Sequence, residues 1–244
     1  VSAAEFDAVA DEYEALVTRS TAFGLAGHDV YTKRKAASIL DIARRLLDEP
    51  SNLKALDVGC GVGLTDRYLV EQFGELHGTD PSGAAVARAM ATNEAVQYQV
   101  LDGAVLPYGD WEFDFAFAIC VVHHVDPEEW KEFASELRRV VRPGGVVAVF
   151  EHNPLHPLTR LSVRRCPFDA DAVLLSRRRA ARLLASAGLV VAEQRYIMFL
   201  PSSASSVQAA ERAMGWAPFG AQYYVAGRRS GPVLNDWPLF SSSR

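Results

Sequence analysis

Apolar positions open the chain at helical spacing: Phe6, Val9, Ala10, Tyr13, Leu16 and Val17 recur at i, i+3, i+4 and i+7, predicting an amphipathic helix. A second helix is expected over Val30–Leu47, its stripe Ile39, Leu40, Ala43 and Leu47, stopping before Pro50. Thr21–Asp29, with Gly24 and Gly27, reads as a flexible connection. From Leu53 the pattern changes to short apolar runs alternating with helical segments, as in parallel strands covered on both faces. Strands are expected at Ala55–Val58, Leu76–Thr79, Val96–Leu101, Phe113–Ile119, Val146–Glu151, Val190–Phe199 and Ala221–Gly227. Helices are expected at Leu64–Phe73, Ser82–Thr92, Glu128–Val141, Arg177–Ala187 and Ser205–Met214. This alternation predicts an α/β fold with a doubly wound, seven-stranded sheet.

Three units follow: a helical cap over 1–50, a ligand-binding domain over 51–229 and a tail over 230–244 that carries Trp237, Leu239 and Phe240. Residues 152–175 are long for a connection between strand and helix and read as a lid or substrate wall.

Composition narrows the partners. The 244 residues carry 25 basic and 30 acidic side chains, a net charge of -5, against the basic surface a nucleic-acid binder needs. Cys60, Cys120 and Cys166 form no close pair, so neither disulfides nor a metal site is expected, and a reducing cytoplasm is. No stretch approaches the roughly 20 apolar residues of a membrane span. A monomer or homodimer acting on a small molecule is the expected form.

The most informative segment is Leu56-Asp57-Val58-Gly59-Cys60-Gly61-Val62-Gly63, which ends one strand and is expected to open a helix. Alternate glycines let the backbone turn tightly and approach a ligand, while helix-terminal amides favour an anionic group. A dinucleotide fingerprint would need glycine at 64, which is leucine, and no phosphate-loop lysine is present. Asp80, one strand-helix unit later, suits the two hydroxyls of a ribose; Asp102-Gly103, one unit further, suits an adenine amino group.

With LDVGCGVG at 56–63, GTDPS at 78–82, Asp102, FDFAFAICVVHHV at 113–125, LRRVVRPGGVVAVFEHNP at 137–154 and AQYYVAGRR at 221–229, the chain resembles the class I S-adenosylmethionine-dependent methyltransferase family. EHNP with CPFD and DAVLL downstream is similar to a bacterial subgroup. The resemblance implies a Rossmann-like, mostly parallel sheet of order 3-2-1-4-5-7-6, its last-numbered strand antiparallel. It implies S-adenosylmethionine as cofactor and S-adenosylhomocysteine as product. Asp57, Gly59, Gly61 and Gly63 would lie at the methionine end, Asp80 at the ribose, and Pro81, Ser82, Asp102 and Gly103 around the adenine. Cys60 and Cys120 are read as small lining residues with no partner that would make a thiolate, and Tyr13 and Tyr31 as aromatics that close over cofactor and substrate.

The implied activity is methyl transfer to O, N or C of a small metabolite in secondary or cell-envelope metabolism. A non-methylating reaction such as cyclisation is the alternative, and a nicotinamide oxidoreductase a more distant one. His124 is the first choice of general base, followed by His123, His152 and Glu151, all at strand ends where doubly wound proteins place ligands. The competing reading makes His123-His124 a helix-entry pair that caps Asp126-Pro127, and Glu151-His152-Asn153-Pro154 a turn in which Glu151 binds backbone amides. Asn153, Arg164 and Arg165 are candidate substrate contacts, the arginines because seven lie between 160 and 182 and would grip an anionic acceptor.

Overall fold

The computed structural model describes residues 28–166, 169, 171–200, 202 and 205–231. The expected first helix with Tyr13, and the tail beyond 231, lie outside the described residues. Helix α1 spans His28–Leu46, so the expected connection ends by His28. Then follow β1 (Lys54–Val58), β2 (Glu75–Asp80), α2 (Gly83–Thr92), β3 (Gln97–Val100), β4 (Phe113–Ile119) and α3 (Trp130–Val140). The order continues with β5 (Val141–His152), α4 (Pro157–Arg165), α5 (Arg177–Ser186), β6 (Leu189–Ile197), α6 (Ser205–Met214) and β7 (Gln222–Arg229).

The seven strands form one sheet of order β3-β2-β1-β4-β5-β7-β6. Neighbours from β3 to β5 run parallel, and β7 is antiparallel to both β5 and β6. Strand alternation divides the core into two layers. Leu56, Val58, Ala116, Ala118, Val147 and Val149 pack against Trp130 and Leu137 of α3 and Leu184 of α5. Ala55, Phe115, Phe117, Ala148 and Phe150 pack on the other face with Ile39 and Ile42 of α1 and Val86 of α2. Each large side chain buried in these layers contributes about 1.5–3 kcal/mol relative to exposure. No helix among the described residues is long and apolar enough to cross a membrane.

One expectation needs correction. Leu64–Phe73 is not a regular helix: its only helical element is a 3-10 turn over Asp66–Tyr68. Three-residue bonds (Leu69 N to Asp66 O, 2.9 Å) alternate with four-residue ones (Phe73 N to Leu69 O, 3.0 Å), because the buried Asp66 carboxyl is drawn inward to the Tyr98 hydroxyl, 2.7 Å away. The long connection after β5 carries α4. Pro157 occupies the first turn of α4, and His156 caps it by accepting the Thr159 amide at 3.2 Å.

Candidate functional site

The strand order reverses between β1 and β4, and the loops beyond their C-terminal ends meet there. The glycine loop folds over the end of β2: Gly59 and Cys60 donate to Thr79 O at 2.7 and 3.1 Å, and Gly61 N donates to Asp80 Oδ2 at 2.9 Å. Asp80 Oδ1 receives the Ser82 amide at 2.9 Å, and Ser82 Oγ caps α2 through Ala85 N at 3.0 Å. Asp80 therefore shapes the loop as well as standing where the ribose was expected.

Gly61 and Gly63 show what the loop requires. Both have positive φ, 54° and 73°. A Cβ at Gly61 would meet nothing within 4 Å, whereas at Gly63 it would lie 2.5 Å from Asn93 Nδ2 and 2.6 Å from the Tyr98 hydroxyl. One glycine leaves room beside the loop; the other lets the loop press onto its support. That support is a buried network in which Asn93 Nδ2 donates to Gly63 O at 3.0 Å and to Tyr98 Oη at 2.9 Å, and Tyr98 donates to Asp66. Asp66, Asn93 and Tyr98 escaped sequence reasoning because their spacing carries no motif.

Asp57 is 3% exposed and its Oδ1 has no hydrogen-bond partner. Burial, then the Asp66 and Asp80 carboxylates, push its carboxyl well above the usual range, opposed by Lys35. Burial likewise raises Asp66, to about 6. A carboxyl with an unpaired oxygen beside two further carboxyl groups suits a cationic ligand, and the sulfonium and ammonium of S-adenosylmethionine fit that donor set. Pro81, Asp102 and Gly103 lie on the exposed surface beyond β2 and β3, and β3 ends before Asp102.

The opposite wall comes from β4, β5 and α1. Cys120, expected within β4 and without a partner, stands just past it at φ 58° with Lys35 Nζ 3.7 Å and Gln222 Nε2 3.6 Å from Sγ. Burial pushes this thiol up, but Lys35 and His152 outweigh it and bring it to about 7. The expectation of an unassisted thiol is therefore corrected. Tyr31, half-buried, precedes Lys35 by one helical turn and shares its face of α1.

His123 and His124 lie in a 3-10 turn over Val122–His124, which the Trp130 indole pins by donating to Val122 O at 2.8 Å. Glu151 is 1% exposed; Oε1 accepts the Val122 amide at 2.8 Å, and Oε2 is 2.5 Å from His123 Nδ1. Both oxygens are engaged, which makes Glu151 a group that positions His123 and corrects its candidacy as a base. Burial lowers the His123 imidazole, but Glu151 and Asp169 override it and hold it well above its ordinary value. Burial and His123 lower His124 to about 4. Asp169 Oδ1 lies 3.5 Å from His123 Nε2 and 3.4 Å from His124 Nε2, which brings together a group of possible metal ligands that sequence reasoning did not expect. His152 Nδ1 is 3.3 Å from Gln222 Nε2, following the pairing of β5 with β7.

Asn153 does not present its amide to this rim. Nδ2 donates to Pro218 O and Gly220 O at 3.1 and 2.8 Å and Oδ1 accepts from Leu155 N, which corrects the expected substrate contact. Arg164 and Arg165 are exposed in the last turn of α4, whereas Arg177 and Arg179 cover the rings of Tyr196 and Trp130 at 4.4 and 4.2 Å.

Residues 56–149 match the family described as methyltransferase domain. Norajmaline N-methyltransferase of Rauvolfia serpentina is 33% identical over 136 residues, which cover 50% of this chain and 46% of that protein. The chain spans about half the length of the curated relatives it matches first. A Thermotoga maritima structure described as a SAM-dependent methyltransferase, possible histamine N-methyltransferase, superimposes with TM-score 0.65 at 21% identity, covering 92% of this chain and 98% of its own. The 4+2 cyclase SpnF does so with TM-score 0.63 at 16% identity, covering 95% and 98%. The domain match over residues 56–149 and the strand order together make this chain similar to S-adenosylmethionine-dependent methyltransferases, whose fold it shares.

Proposed function

We propose that this protein transfers a methyl group from S-adenosylmethionine to an oxygen, nitrogen or carbon of a small metabolite. The observation that carries the reading is the acidic glycine loop, in which Asp57 Oδ1 at its start is unpaired and a Cβ at Gly61 would meet open space. Bound S-adenosylmethionine supplies a methyl group already activated by its sulfonium. The protein's task is position: Asp57 receives the cationic methionine end, Asp80 the ribose, and Asp102 with Pro81 and Ser82 the adenine. Cys60, Gly103 and Cys120 line the same site, and Tyr31 covers it. Holding a nucleophile in line with the departing sulfur is worth about 7–11 kcal/mol.

The acceptor binds where β4 and β5 end, between His123, His124 and His152, with residues 152–175 as its outer wall. A hydroxyl or ammonium acceptor gives up its proton to this imidazole cluster, and Glu151 holds His123 in register. The exposed Arg164 and Arg165 support an anionic group on that acceptor. A nicotinamide cofactor gains no support, since the loop leads only into a short 3-10 turn. The resemblance to a cyclase favours one second reading, a non-methylating reaction on the same cofactor-binding fold.

Calorimetric titration tests the cofactor half. S-adenosylhomocysteine should bind in the micromolar range, NAD should not bind, and Asp80→Ala should weaken binding at least about tenfold. Unchanged affinity in that variant removes the basis of the reading. Incubation with methyl-labelled S-adenosylmethionine and a panel of small phenols and amines separates the reactions. Labelled product with S-adenosylhomocysteine release supports transfer; product without release supports the alternative.

A further inference from the structure

The arrangement around His123 is more than a base with its orienting carboxylate requires. Glu151, ionised and buried, takes the Nδ1–H of His123, so the ring nitrogen left over, Nε2, faces Asp169. His124 Nε2 converges on the same Asp169 oxygen, and these three atoms lie within 4.8 Å of one another. We propose that His123 Nε2, His124 Nε2 and Asp169 Oδ1 form a binding site for one divalent transition-metal ion, with Glu151 as the outer carboxylate that orients His123.

Three observations carry this. First, the separations of 3.5 and 3.4 Å are long for charge-assisted hydrogen bonds, which run to about 2.9 Å. Two ligand atoms each about 2.1 Å from a common ion at a tetrahedral angle lie about 3.4 Å apart. Second, a metal-bound histidine characteristically donates its other ring N–H to a carboxylate, which fixes its tautomer and orientation. Glu151 does this from a fully buried position, with its other oxygen tied to the Val122 amide. Third, the ligands come from two segments locked together: Val173 N donates to His123 O at 2.9 Å, and Asp169 is bracketed by the bonds Asp169 N to Cys166 O and Ala172 N to Asp169 O, each 3.1 Å.

Two imidazoles and one carboxylate suit zinc, cobalt, nickel or iron(II) better than magnesium or calcium, which prefer all-oxygen sets. Three protein ligands leave at least one position to water or to a heteroatom of a bound molecule. On the acceptor reading above, on which only this last step rests, that heteroatom is the acceptor's hydroxyl oxygen. The ion lowers its pKa, the O–H proton leaves to solvent, and His124 serves as ligand instead of base.

The test uses the full chain, stripped with a chelator and titrated with Co(II), Zn(II) and, as a control, Mg(II). One equivalent of Co(II) should bind with the visible absorption of a four- or five-coordinate site, Zn(II) should displace it, and Mg(II) should bind at least a hundredfold more weakly. Asp169→Asn and His124→Gln should each weaken Co(II) binding at least tenfold while S-adenosylhomocysteine affinity stays within twofold. No stoichiometric Co(II) or Zn(II) binding by the unaltered chain overturns the proposal, as does equal binding by both variants. No S-adenosylhomocysteine binding by the unaltered chain, with its Co(II) binding and the losses in both variants as expected, would count against the methyltransferase reading instead.

Discussion

Asp66 sits at 0% exposure beside Asp57, and burial raises its pKa from 3.8 to about 6. Between those values the folded protein keeps a proton that the unfolded chain has released. Stability is therefore full below about pH 4 and is lost as pH rises through about 6. Asp66→Asn retains an acceptor for the Tyr98 hydroxyl and removes the buried charge, so thermal melts should show it more stable than the parent at pH 8 and equal at pH 4. A parallel decline of both proteins with pH would place the titration elsewhere. The two glycines separate loop strain from packing. Gly61→Ala should cost only the about 1–2 kcal/mol of a left-handed alanine and should weaken S-adenosylhomocysteine. Gly63→Ala adds a collision with Asn93 and Tyr98 and should cost about 3 kcal/mol in urea denaturation. At this scale the sequence made Asp57, Asp80 and the glycines legible, since chemistry and spacing coincide in one short run. Asp169, Lys35 and Gln222 were hidden because each reaches the rim from a distant segment.

Among the elements, all seven strands were legible, because parallel strands covered on both faces leave near-continuous apolar runs such as Phe113–Ile119, whereas the order of the sheet came from the family resemblance and not from the runs. The segment after the glycine loop was not. Leu69 and Phe73 bury as a helical stripe would, yet the inward pull on Asp66 tightens the chain into mixed turns, and side-chain periodicity does not register that pull. Asn153 shows the same limit at the end of β5. Its position before a proline looks like a simple turn, while its amide braces the chain that leads into β7. Asn153→Ala leaves the carbonyls of Pro218 and Gly220 without their donor. The expected cost is about 2–3 kcal/mol, with amide exchange rising first at 218–222. Uniform exchange across the sheet would mean that the brace is not local.

Across the whole molecule, the first described helix is fastened to α6, far along the chain, by a buried ion pair. Arg34 of α1 pairs with Glu211 of α6, and both side chains are 7% exposed. Arg34 also donates to Leu200 O at 2.5 Å, and Glu211 Oε1 accepts Leu200 N at 2.9 Å, so the segment after β6 is gripped between the two charges. This clamp helps to seat α1 on its face of the sheet and, one residue on, delivers Lys35 to Cys120 at the rim. Removing either partner leaves an uncompensated charge in a site that excludes water, which costs about 3–5 kcal/mol. Glu211→Ala and Arg34→Met should each destabilise by about 3 kcal/mol in urea denaturation. The double variant should lose clearly less than the sum, because it buries no lone charge and the methionine keeps the apolar contact of the arginine stem. Strict additivity would show that the two charges do not stabilise one another. α1 would then be held by its apolar face, Ala36, Ile39, Ile42 and Ala43, and by pairs such as Arg45 with Glu193, and the rim would not depend on the clamp.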